Sequence, residues 1–120
     1  MAVIDDDDAV RRLLTRMLEA AGYHVIALAD GDAGLRAIHE HQPDLVLLDL
    51  TLPRMDGFEI CRRLRADVRT QTLPIIVLTA KAMARAREEC LKSGASDYLA
   101  KPVDLDQLRS MLRVWLYKQR

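Results

Sequence analysis

The sequence predicts a doubly wound α/β domain on a five-stranded parallel sheet, and three observations predict it. Short apolar runs alternate with helical periodicity five times along the chain. Three of the runs are near-continuous Val/Ile/Leu, the pattern of strands covered by helices on both faces. Strictly alternating β and α elements favour parallel pairing through right-handed crossovers. The 120 residues suit one domain with a real core, and no linker, repeat or low-complexity segment divides them. Residues 1–120 are therefore read as a single domain.

The expected strands are Ala2–Ile4, Tyr23–Leu28, Leu45–Leu48, Ile75–Leu78 and Asp97–Leu99. Before the second strand, Val10, Leu13, Leu14, Met17, Leu18 and Ala21 repeat at helical spacing, with Asp8 expected as the cap and Gly22 as the stop. Asp30 can cap a second helix through about His41, and Asp56 with Glu59 has the spacing of a capping box for a third, to about Arg65. A fourth is expected from about Met83 to Ser93, ending at Gly94. Asp104 and Gln107 open the last, which buries Leu108, Met111, Leu112, Trp115 and Leu116. The common order for five such strands is 2-1-3-4-5, with a ligand crevice between strands 1 and 3 at their carboxyl ends.

Composition narrows the function. Half the residues are apolar and 30% are charged, as in a globular protein. No apolar stretch is long enough to span a bilayer, and acids at Asp5 pre-empt a signal peptide. Eighteen basic residues balance eighteen acidic ones, so nothing general draws the chain to nucleic acid or an anionic membrane. The two cysteines, Cys61 and Cys90, fall among apolar neighbours in helices and read as small core residues in a reducing cytoplasm.

Chemistry concentrates where strands stop. Asp5 and Asp6 end strand 1, Asp49 ends strand 3, Thr79 ends strand 4, and Lys101-Pro102 follows strand 5. In a parallel sheet these stops share one edge. Acid runs are usually solvated or act as helix caps, a reading that explains Asp7 and Asp8 better than Asp5 and Asp6. Read singly, Asp49 could also be a turn former before Pro53, Thr79 an ordinary strand end, and Lys101 a solvated loop lysine. Together they fit a different chemistry. Carboxylates crowded beside Asp49 suit Mg²⁺, Asp49 can act as a nucleophile, and a fixed lysine can neutralise an incoming phosphoryl group.

Four segments, in order and at these separations, carry a resemblance over the full length to the receiver domains of two-component response regulators. They are Asp5-Asp6, the stretch from Asp49 to Gly57, Leu78-Thr79-Ala80, and Asp97 to Pro102. The resemblance implies a flavodoxin-like fold with five helices and Asp49 as phosphoacceptor. It implies Mg²⁺ held by Asp5, Asp6, Asp49 and the Thr51 backbone carbonyl, with Thr79 and Lys101 on the phosphoryl oxygens. It further implies Tyr98 as the aromatic switch and a cis peptide at Lys101-Pro102, an isomer that X-Pro bonds tolerate at small cost. Thr51 and Lys81 flank the site residues and are expected to tune the phosphoryl lifetime.

The implied partners are a histidine kinase or phosphotransfer protein and a downstream protein target, with no direct nucleic acid or membrane contact. The expected state is a monomer that phosphorylation could pair into a dimer. Only four residues precede Asp5, fewer than the family's first strand carries, so residues are expected to be missing there. The chain ends on its last helix without residues for a helix-turn-helix. It is expected to be a stand-alone receiver, or one cut from a hybrid kinase or DNA-binding regulator. Of the rivals, an aspartyl phosphohydrolase wants a second acid where Thr51 stands. A dinucleotide or flavin binder wants a Gly-rich turn where the acids stand.

Overall fold

A computed structural model describes residues 1–80 and 84–117, with the side chains of residues 84–87 left aside. In chain order the elements are β1 (Ala2–Ile4), α1 (Asp8–Ala20), β2 (Ile26–Leu28), α2 (Gly31–His41), β3 (Val46–Asp49), α3 (Gly57–Ala66), β4 (Ile75–Thr79), α4 (Ala84–Ser93), β5 (Asp97–Ala100) and α5 (Leu105–Tyr117). All four strand pairings are parallel, in the expected order β2-β1-β3-β4-β5. The expected start of α4 at Met83 lies outside the described residues, as does Lys81.

The three central strands are buried on both faces, which divides the core in two. On one side Ile4, Val46, Leu48 and Val77 meet Ile38, Ile60 and Leu64 from α2 and α3. On the other, Val3, Leu47, Ile76 and Leu78 meet Leu14, Leu18, Leu108 and Leu112 from α1 and α5. Each fully buried Leu or Ile contributes about 1.5–3 kcal/mol. Cys61 and Cys90 are both free and fully buried, and desolvation pushes the Cys61 thiol up to about 11.

Helix ends follow the expected signals with instructive exceptions. Asp30, Asp56 and Asp104 each accept backbone N–H groups from the first turn of α2, α3 and α5. The cap of α1 is Asp7, not Asp8. Asp7 has extended backbone and its side chain accepts from the N–H groups of Ala9 and Val10, whereas Asp8 is already helical and pairs with Arg11. β2 is also shorter than the apolar run. The Tyr23 N–H closes α1 on the Leu18 carbonyl, and Gly22 donates to Glu19, so residues 22 and 23 belong to a left-handed helix stop. At the far end of the sheet, the Trp115 indole N–H donates to Asp97 Oδ2 at 3.1 Å, while Asp97 Oδ1 accepts the Tyr98 N–H.

Candidate functional site

Parallel register brings the predicted residues to one edge. Ile4 pairs with Leu48, so Asp5 and Asp49 both leave adjoining strands at the same level, and Thr79 pairs with Ala100 immediately before Lys101. Asp5 is fully buried and Asp49 is 2% exposed, whereas Asp6 faces solvent. Carboxylate oxygens of Asp5, Asp6 and Asp49 all lie within 4.8 Å of one another. Such crowding of anions is unfavourable unless a cation or a proton offsets it.

Lys101 supplies part of that charge. Its Nζ lies 3.0 Å from Asp5 Oδ2 and 3.6 Å from Asp49 Oδ1. Asp5 Oδ1 accepts the Asp7 N–H at 2.9 Å, and the Asp5 carbonyl accepts from Arg11 at 2.8 Å. Asp5 Oδ2 has the lysine's charge beside it but no aligned hydrogen bond, an unsatisfied buried carboxylate oxygen. That oxygen, the exposed Asp6 and Asp49 form a hard all-oxygen donor set of the kind Mg²⁺ takes. The residues fit the ion.

Charge balance at the site is poised. Burial pushes the Asp49 carboxyl above its ordinary value, and Asp5 and Asp6 push the same way; the Thr51 N–H and Lys101 oppose them. Burial by itself would lower the Lys101 ammonium, yet Asp5 and then Asp49 more than offset this, and its pKa is raised. Lys101 therefore stays charged, while burial disfavours the charged form of Asp49.

Backbone geometry aims these groups. The Thr51 N–H and hydroxyl each donate to Asp49 Oδ1 at 3.2 Å, fixing one oxygen. The Lys101-Pro102 peptide is cis, as expected, and the Lys101 N–H donates to the Thr79 carbonyl at 2.7 Å. Thr79 is 5% exposed; Tyr98, paired with Val77, is half-buried and packs against the core cluster beside α3 and α4. Gly57 draws the loop shut by donating to the Leu50 carbonyl at 3.0 Å. A Cβ there would stand 2.9 Å from both the Asp49 carbonyl oxygen and Leu50 Cα. Neither this role of Gly57 nor the bond from Arg11 to the Asp5 carbonyl is expected from the sequence. A glycine directly after a helix cap was the available signal for the first.

Comparison with known proteins agrees with this geometry. The response regulator receiver domain family matches residues 1–113. RpaA of Synechocystis, a DNA-binding dual master transcriptional regulator, is 43% identical over 114 residues, 95% of this chain and 47% of its own. AfsQ1 of Streptomyces coelicolor, a transcriptional regulatory protein, is 45% identical over 117 residues, 94% of this chain and 51% of its own. The chain thus spans about half the length of these curated relatives. Among solved structures, the receiver domain of sensor histidine kinase PA1611 from Pseudomonas aeruginosa superposes with a TM-score of 0.88 at 36% identity, covering 96% of this chain and 94% of that one. That structure has a magnesium ion coordinated in its active site cleft. The Francisella response regulator 1452 receiver domain gives 0.91 at 28% identity, covering 99% and 97%. Fold, edge chemistry and sequence agree: the chain belongs to the response regulator receiver domain family of two-component signalling.

Proposed function

We propose that Asp49 is the phosphoacceptor of a switch that takes its phosphoryl group from the phosphohistidine of a kinase or phosphotransfer protein. The observation that carries this is a nearly buried carboxylate at the sheet's carboxyl edge, with two acids within 4.8 Å and an ammonium at 3.6 Å. One Asp49 oxygen attacks phosphorus in line as the N–P bond breaks and its electrons return to the imidazole. Thr51 orients the nucleophile by holding Oδ1. Asp5, Asp6, Asp49 and the Thr51 carbonyl would hold Mg²⁺, which offsets charge on the transferring group.

Lys101 then trades its contact with Asp5 for a phosphoryl oxygen, and Thr79 donates its hydroxyl to another. Tyr98 follows, shifting an existing equilibrium at the face of α4, β5 and α5 toward the state that a downstream protein binds. The domain assists its own phosphorylation and hydrolysis without turning over a separate substrate. Whether that domain works alone or inside a longer regulator or hybrid kinase, its role is the receiver. Among the described residues no helix is long and apolar enough to cross a membrane, and the buried thiols suit a reducing cytoplasm.

Incubation with acetyl phosphate and Mg²⁺ should add one phosphoryl group, read by intact mass. Asp49→Asn should add none. Labelling of that variant at the wild-type level would overturn the assignment.

A further inference from the structure

Arg65, near the end of α3, makes three hydrogen bonds that the site does not use. Nε donates to the Gly94 carbonyl at 2.7 Å, Nη1 to the Thr70 carbonyl at 3.2 Å, and Nη2 to Ser96 Oγ at 3.2 Å. All three acceptors are neutral oxygens, and two of them lie 29 and 31 residues away in sequence. An ion pair is therefore not what selects arginine here; a planar fork able to reach three diverging oxygens is. Burial lowers the guanidinium's pKa, as expected for a half-buried cation against which, among the described residues, no carboxylate lies.

The acceptors mark a particular place. Gly94, at φ +106°, closes α4, with its N–H donating to Leu91 and the Ala95 N–H to Cys90. The Arg65 stem lies across this turn so closely that a Cβ on Gly94 would stand 2.5 Å from Arg65 Cγ. Ser96 Oγ also accepts the Ile75 N–H at 3.0 Å, and the Ser96 N–H donates to the Ile75 carbonyl at 2.8 Å. Ile75 and Ser96 stand at the amino ends of β4 and β5. Thr79 and Lys101 stand at the opposite edge, where the phosphoryl group would act. α4 runs from that edge back to Gly94.

We propose that Arg65 is a positioning residue that pins the last turn of α4 to α3 and β5, so that the phosphorylation response swings α4 about Gly94 as a lever. A helix of ten residues is about 15 Å long, so a rotation about one held end moves the other most. The lever rests on the reading of Asp49 as acceptor; the pin does not.

The test uses the whole chain with Arg65→Met, which keeps an apolar stem, and Arg65→Lys, which keeps the charge without the fork. In the absence of any phosphoryl group, amide hydrogen exchange at Ile75 and Gly94–Ser96 should rise about tenfold or more in both variants. Wild-type exchange in both, or in Arg65→Lys alone, would overturn the pin. Amide NMR with Mg²⁺ and beryllofluoride then reads the lever. Wild-type shift changes should fade along α4 toward Gly94, and in both variants extend through Ser96. An unchanged profile in the variants overturns the lever. Acetyl phosphate labelling should persist in both variants. Failure of the wild type itself to label overturns the Asp49 reading and the lever together, while exchange still decides the pin.

Discussion

Replacing Lys101 with methionine keeps most of the side chain's stem and removes the ammonium facing two buried carboxylates. At an effective dielectric of about 20, charges at 3.0 and 3.6 Å attract by about 5 kcal/mol each, much of it offset by the cost of burying the lysine. Removing one partner of such a cluster costs about 3–5 kcal/mol. Protonation limits the loss. Neutralising one carboxyl of ordinary pKa 3.8 at pH 7 costs about 1.36 kcal/mol for each of 3.2 pH units, or about 4.4 kcal/mol. At pH 5 the same ceiling is about 1.6 kcal/mol. The sign follows from linkage. Asp49, already raised, rises further without Lys101, so the destabilisation is full above its folded-state pKa and fades as pH falls toward 3.8. Urea unfolding in EDTA should show Lys101→Met losing about 3–4 kcal/mol at pH 7 and under about 2 kcal/mol at pH 5. Millimolar Mg²⁺ should narrow the gap at pH 7, since the ion replaces the missing charge. A deficit that is the same at both pH values, or absent at pH 7, would refute the view that Lys101 compensates buried anions.

Two further outcomes follow from local geometry. Asp7→Ala should cost about 1 kcal/mol in urea unfolding by removing the cap of α1, whereas Asp8→Ala should cost under about 0.5 kcal/mol, because it breaks only an exposed ion pair; equal losses would return the cap to Asp8. Gly57→Ala should destabilise by about 1–3 kcal/mol and slow labelling of Asp49, since the new methyl meets backbone on both sides; wild-type stability and labelling would show that the loop yields freely.

The core elements were legible because burial on both faces leaves its mark in composition: the β3 and β4 runs are apolar without interruption. Edge elements were less so. Tyr23 and His24 extend an apolar run, yet the Tyr23 N–H closes α1 and the His24 carbonyl accepts the chain's amino terminus at 2.8 Å, leaving β2 with three residues. Four consecutive aspartates gave no local signal for which one caps, because the choice depends on where the backbone turns from strand to helix. The capping-box spacing at Asp56 and Glu59 formed only by half. Asp56 accepts the Glu59 N–H, but the Glu59 carboxylate is taken by Arg62 and Arg63. The convergence of Asp5, Asp49 and Lys101 could be read from strand ends, whereas their distances depend on register and side-chain conformation. Arg65 left no trace in the sequence, since two of its partners are backbone carbonyls that any residue could supply and the third is a single serine hydroxyl 31 residues away.

The bond between Trp115 and Asp97 has a practical consequence. This is the chain's one tryptophan, and its indole shares a carboxylate with the backbone of Tyr98, the aromatic assigned to the switch. Indole emission depends on hydrogen bonding and local polarity. The protein therefore carries a native optical probe anchored where β5 begins, one peptide away from the ring proposed to move. Stopped-flow fluorescence can time activation on unlabelled protein, with no foreign dye to disturb the surface that partners read.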